Sequence, residues 1–242
     1  MRELVIIMIF CVFSARAQNA PVILKAKNST SQIVAASHPG FSFLLPEMAG
    51  SLEFGIIQGG KSKWLKDFAG TKVTADRRSI KYILQGETSG ELVIEAVSLR
   101  VTDGLVIQVT ARDFPAGTQL FWAYGGASGK TGSKPELLPE YCKYNVFSVE
   151  GTAFTAYYGE SMKLKVIQGV MPPASVIRLS DAFRQDTPLA FFESGKKTDA
   201  PSLAAVLLLE KEQYFCIYRQ NAAADYNYFM LPEVFAEAKA QR

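Results

Sequence analysis

Residues 92–110 read Leu-Val-Ile-Glu-Ala-Val-Ser-Leu-Arg-Val-Thr-Asp-Gly-Leu-Val-Ile-Gln-Val-Thr. Two short runs rich in Val and Ile flank Asp103-Gly104. Runs of this length and composition favour strands over helices. Asp-Gly supplies the positive φ angles that a tight hairpin uses. The stretch therefore predicts two antiparallel strands, 92–101 and 105–110, with the turn between them.

The same grammar extends in both directions. Upstream, apolar or alternating runs at 41–45, 52–58, 72–76 and 80–85 read as strands. Downstream come 118–124, 144–149, 153–158, 162–168 and 175–179, then 189–193, 203–209 and 214–219. Glu150-Gly151 and Gly159-Glu160 divide their neighbours as turns, and 210–213 is a short polar break. Many short strands at this spacing, with no fixed repeat, predict an all-β fold, a large antiparallel β-sandwich. The tail differs. In residues 231–242, Pro232 comes early, acids precede bases, and Val234, Phe235 and Ala238 share one side at helical spacing, which predicts a short C-terminal helix.

The opposite end predicts export. Arg2 precedes an apolar run from Leu4 to Phe13, and Ala15-Arg16-Ala17 supplies a small-residue cleavage pattern before Gln18. The run is about half the length of a membrane-spanning helix, so 1–17 reads as a cleaved signal peptide that leaves no membrane span. The expected organisation is thus a signal peptide (1–17), a β-sandwich module (18–230) and the start of a helical linker (231–242), with a periplasmic or extracellular destination. Net charge is +3, and the basic residues form only small scattered groups such as Lys61/Lys63/Lys66 and Arg77-Arg78. No basic stripe follows a phosphate backbone, so nucleic acid is not an expected partner.

Residues 122–131, Trp-Ala-Tyr-Gly-Gly-Ala-Ser-Gly-Lys-Thr, come close to a phosphate-binding P-loop. Tyr124 stands where the first glycine belongs, and Gly132 and Pro135 prolong the loop where a helix should begin. The segment reads instead as a glycine-rich loop at a strand end. Alternation places Leu120, Trp122 and Tyr124 on one sheet face and Phe121 and Ala123 on the other. Flat aromatics beside a polar loop suit stacking on a sugar, although Trp122 equally suits a core. The expected ligand-binding set is Trp122, Tyr124, Gly125, Gly126, Ser128 and Lys130, with Trp64 in an exposed-looking context as a further aromatic. No cofactor is expected.

Hydrolytic and metal chemistry find little footing. His38 is the chain's one histidine, set in a Ser-His-Pro-Gly turn, and no Gly-x-Ser-x-Gly elbow is present. Beyond residue 17, one histidine and two distant cysteines, Cys142 and Cys216, do not build a zinc site. Glu136, Glu140, Asp181, Asp186 and Glu193 lie in or beside loops, and any two could form a glycosidase pair; nothing in the pattern selects two of them. Export would permit a Cys142–Cys216 disulfide, while Cys216 in its apolar run also reads as a buried small hydrophobe.

Several stretches together resemble a family of domains of unknown function from exported bacterial proteins. They are Trp64-Leu65-Lys66-Asp67-Phe68, Asp103-Gly104-Leu105-Val106, residues 122–130, residues 183–194 and Leu231-Pro232-Glu233-Val234-Phe235-Ala236-Glu237-Ala238. The resemblance implies an N-terminal supersandwich ahead of a six-hairpin helical barrel like that of glycoside hydrolases. It implies glycan processing as the setting, with a glycan facing the 125–130 loop and the helical domain packing near Val234 and Phe235. It carries no catalytic residues onto this chain. A non-catalytic carbohydrate-associated module is the expected function. The alternatives are a complete glycoside hydrolase or lyase using loop carboxylates, and a purely structural interaction module.

Overall fold

The computed structural model describes residues 22–24, 32–45, 48–76, 78–86, 89–126, 137–143, 145–158, 165–195 and 197–240. The early strands are β1 (Val22–Leu24), β2 (Gln32–Ala35), β3 (Gly40–Leu45), β4 (Met48–Gln58) and β5 (Lys61–Trp64). Next come β6 (Lys72–Ala75), β7 (Ser79–Gln85), β8 (Glu91–Ser98), β9 (Gly104–Arg112) and β10 (Gln119–Gly125). A single turn of helix, α1 (Pro139–Cys142), precedes β11 (Val146–Glu150), β12 (Ala153–Tyr158), β13 (Lys165–Val170) and β14 (Val176–Asp181). Helix α2 (Pro188–Glu193), β15 (Pro201–Leu208), β16 (Glu212–Arg219) and helix α3 (Leu231–Ala240) complete the order.

The strands form two eight-stranded antiparallel sheets. The first runs β1-β2-β3-β4-β10-β15-β14, with β5 folded back on β4; the second runs β11-β12-β13-β16-β9-β8-β7-β6. Period-two alternation gives each strand an inner and an outer set of side chains. Inner rings meet across the gap: Phe41 on Tyr82 (centroids 6.1 Å apart), Phe54 on Phe215 (5.5 Å) and Trp122 on Phe154 (5.8 Å). The all-β sandwich is therefore the observed architecture.

Both outer faces also carry a buried cluster, because a helix lies on each. On the first sheet, α2 brings Phe191 against Trp64 and Phe121, three rings in mutual edge contact at 5.1 to 6.0 Å. On the second sheet, α3 lays Leu231, Phe235 and Ala238 over Val106, Tyr214 and Cys216. The predicted tail helix is present, and its apolar stripe is used within the chain: Phe235 is buried against Tyr214 (5.9 Å) and Val234 packs beside it. Phe235 is thus already covered by its own sheet.

Some expectations need correction. Residues 189–193 are helical, because Thr187 caps the helix by accepting from the Ala190 amide (3.1 Å) and Pro188 occupies its first turn. Asp103-Gly104 is not a positive-φ hairpin; the strand pair is joined through 99–103. Gly104 is needed for space, since a Cβ there would lie 2.6 Å from the Tyr218 Cβ. Tight hairpins with positive φ are at Gly59-Gly60 (φ +57° and +75°), between β4 and β5, and at the expected Gly151 turn (φ +61°), between β11 and β12. Cys142 lies in the outer cluster of the first sheet and Cys216 in that of the second, with the whole inter-sheet core between them; both thiols are free. The expected signal peptide lies outside the described residues. Among the described residues, no helix is long and apolar enough to cross a membrane.

Candidate functional site

The glycine-rich loop leaves the sheet at the end of β10, and its base is unusually well secured. β10 alternates as expected, with Leu120, Trp122 and Tyr124 in the inter-sheet core and Phe121 and Ala123 in the outer cluster. Trp122 and Tyr124 are both 0% exposed. Trp122 stacks on Phe154 and Tyr124 tilts against it inside the sandwich, so neither offers a face to a sugar. The expectation that they contact a ligand is corrected by this burial. Trp64, expected near the surface, is likewise buried.

Gly125 and Gly126 are also buried, and each is required for a physical reason. A Cβ on Gly125 would press on Cys142 Sγ and the Ser202 Cβ, both at 3.0 Å. Gly126 adopts φ +73°, a conformation that side chains disfavour. Its amide donates to Cys142 Sγ (3.2 Å). Ser128 and Lys130 lie outside the described residues.

The chain's return from the loop is held by a second set of contacts. The Leu137 amide donates to Glu53 Oε1 (2.8 Å), while Lys66 Nζ donates to Glu53 Oε2 (2.9 Å). Glu53 is 2% exposed, on the outer face of β4 and directly opposite Ala123 of β10. A carboxylate at that depth is tolerable only with both oxygens partnered. Gln185 Nε2 donates to the Leu137 and Ala182 carbonyls, and Trp64 Nε1 donates to the Gln185 carbonyl (2.8 Å). Residues from the Trp64–Phe68, 122–130 and 183–194 stretches thus converge on one clamp.

This clamp is structural in its chemistry. Burial, with smaller contributions from Glu140 and Asp181 against the Gly126 hydrogen bond, pushes the Cys142 thiol up to about 12. A thiol so protonated is no nucleophile at neutral pH. The other buried carboxylate among the described residues, Glu95, accepts from Lys239 of α3 (2.8 Å). Of the loop acids, Asp181 Oδ1 accepts from the Phe183 amide and from Thr198, holding its own turn. Glu140, Asp186 and Glu193 are exposed, and Glu136 lies outside the described residues. No group of His, Cys, Asp and Glu among the described residues could hold a metal ion.

Among the described residues, two surface clefts exceed 400 Å³. One, about 520 Å³, opens where the β4–β5 hairpin overhangs the second sheet, with Gln58, Lys61, Lys63, Phe68 and Phe114 in its wall. Lysines on the edge strand β5 also discourage edge-to-edge pairing. The other, about 420 Å³, lies on the outer face of the second sheet. Helix α3 packs mainly over β8, β9 and β16; Val170 at the end of β13 joins its cluster, while Ser148, Thr155, Tyr157 and Gln168 farther out line the cleft. Register aligns Ser148, Thr155 and Gln168 in one cross-strand row and Val146, Tyr157 and Val166 in the next. The turn carrying Asp225 and Tyr226 makes the side wall.

Neither cleft was legible beforehand, and neither was Glu53. The signal for Glu53 was there: a lone acid inside the run Ser51-Leu52-Glu53-Phe54-Gly55 demands a partner if the strand is central.

A family model described as a domain of unknown function, DUF4450, matches residues 45–239. Among solved structures, a bacterial glucoamylase crystallised in complex with acarbose resembles the chain at a TM-score of 0.57 and 12% identity. The match covers 91% of this chain and 36% of that one, so the chain spans little more than a third of the glucoamylase's length. At that identity the likeness is one of fold. No curated protein matches the chain.

Proposed function

The chain belongs to the DUF4450 family of domains of unknown function, and on that premise we propose that it is a non-catalytic, carbohydrate-associated β-sandwich module of an exported glycan-processing protein. The observation that carries this reading is the fold it shares with part of a glycoside hydrolase, over nearly its whole length. In that setting hydrolysis belongs to a helical domain, and the sandwich supports it or holds glycan near it. The arrangement of acids supports the non-catalytic part. Glu53 and Glu95 are engaged in salt bridges that hold a loop and a helix, and Asp181 is engaged in its own turn.

The anchored loop between Gly126 and Leu137 is the element proposed to face the glycan or the helical partner. Trp122 and Tyr124 support its base from beneath as core. Turnover assays and glycan-array binding on the purified chain test the reading. Glycan binding without hydrolysis is the expected result. Hydrolysis or elimination that disappears when two loop acids are replaced would sink it in favour of a complete enzyme.

A further inference from the structure

We propose that the open shelf on β11–β13 is a binding site for a short stretch of neutral glycan, one or two pyranose units held between Tyr157 and the Asp225–Tyr226 turn. This rests on the carbohydrate-associated reading and gives it a location that the glycine-rich motif did not suggest.

The shelf exists because α3 covers only part of its sheet. Elsewhere on that outer face, Val106, Tyr214 and Cys216 are buried beneath the helix. Beyond its reach, strand parity puts Ser148, Glu150, Thr155, Tyr157 and Gln168 outward on neighbouring strands, while Phe154, Ala156 and Ile167 point inward to the core. A sheet face that turns polar while keeping a half-buried aromatic is shaped for an amphipathic ligand. The cleft's volume lies within the range of small-molecule sites, about 300–1,000 Å³.

Its chemistry matches a sugar in kind. Tyr157 and Tyr226 are half-buried rings with polar tips, suited to the C–H face of a pyranose. Gln168, Glu150 and Asp225 are planar groups that pair with vicinal hydroxyls. The wall is preorganised: Tyr218 donates from its hydroxyl to Gln168 Oε1, the Tyr226 amide donates to Tyr218 Oη (3.1 Å), and the two tyrosine rings meet edge-on at 4.9 Å. Gln168 Oε1 is thereby occupied, and Nε2 is the amide's donor end. Two carboxylates line the cleft, and no lysine or arginine does so among the described residues. That charge balance favours a neutral glycan over a uronate.

Calorimetric titration of the purified chain tests the site, using maltoheptaose, cellohexaose and xylohexaose as neutral probes and an oligogalacturonate as the acidic one. Wild type is expected to bind a neutral probe more tightly than the oligogalacturonate. Tyr157→Ala should weaken that binding about three- to tenfold and Asp225→Asn about tenfold or more. Lys61→Gln, at the other cleft, should leave it unchanged. Asp225 is exposed, and circular dichroism of each variant keeps unfolding separate from lost contact. Neutral binding that survives both shelf substitutions overturns the shelf and leaves the carbohydrate reading standing. Preference for the oligogalacturonate, or sensitivity to Lys61→Gln alone, overturns it equally. Absence of binding to any of the four probes overturns the shelf as a glycan site, and a silent wider glycan array would then remove the general reading as well.

Discussion

The hydroxyl of Tyr124 lies so close to Gly50 that a Cβ on that glycine would stand 2.1 Å from the tyrosine oxygen. Gly50 does not have a positive φ, so the requirement is one of space alone. Gly50→Ala should therefore destabilise the chain by about 1–3 kcal/mol, the usual cost of overpacking, read as a lower urea midpoint. Tyr124 Oη has no hydrogen-bond partner among the described residues, so Tyr124→Phe should cost little. Combined with Gly50→Ala, it should recover part of the loss. Strict additivity of the two substitutions would show that the contact is relaxed by other means.

The clamp beneath the glycine-rich loop gives a second test. Glu53→Ala leaves the Leu137 amide without its acceptor and Lys66 without its partner. Breaking a buried pair from one side costs about 3–5 kcal/mol, and the exposed part of Lys66 lowers that figure toward its lower end. Hydrogen exchange at the Leu137 amide should accelerate well beyond that at the β10 amides. Equal acceleration everywhere would mean that Glu53 supports the fold globally and not the loop.

Alkaline pH should weaken the fold in a defined window. Burial raises the Cys142 thiol from 9.0 to about 12, and it raises Tyr214 and Tyr226 from 10.0 to about 12. These groups keep their protons in the folded chain, while the unfolded chain loses them from pH 9 upward. Stability is then fully present below pH 9 and declines as pH rises toward 12. Melting temperatures taken from pH 8 to 11 should fall monotonically above 9. Cys142 and Cys216 should react with a thiol reagent only after denaturant is added, and rapid labelling in the native state would contradict their burial.

Helix α3 should behave as part of the domain. Phe235→Ala removes a side chain that is 4% exposed and in contact with Tyr214, and about 3–5 kcal/mol should be lost. Val234→Ala, at a half-buried position, should cost clearly less. Similar small effects from both, by denaturant unfolding, would mean that the helix contributes little to the sandwich.

What could be read in advance follows a physical divide. Alternation in 120–124 correctly sorted five side chains between two faces, because parity is a local property of a strand. The tail helix was legible for the same reason. Residues 189–193 were misread because Leu-Ala-Phe-Phe-Glu fits a buried strand or a short amphipathic helix equally well; the deciding signal was the Thr187-Pro188 cap just before it. Trp64 was placed near the surface by its lysine neighbours, yet its burial depends on Phe121 and Phe191, far along the chain. The clamp and the shelf depend on pairings between distant segments, such as Leu137 with Glu53 and Gln168 with Tyr218, which no local pattern encodes.

Strand β16 has a consequence for how the molecule is made. It lies between β13 and β9, and so joins the meander β6–β9 to the meander β11–β13. Until residue 219 has left the ribosome, both meanders carry a bare hydrogen-bonding edge whose proper mate has not been synthesised. The β9 edge, nine residues long and rich in Val and Ile, is the kind that recruits stray strands from other chains. The nascent protein is therefore vulnerable until Tyr214–Arg219 arrives to close the gap, and a shielding chaperone would matter most in that interval.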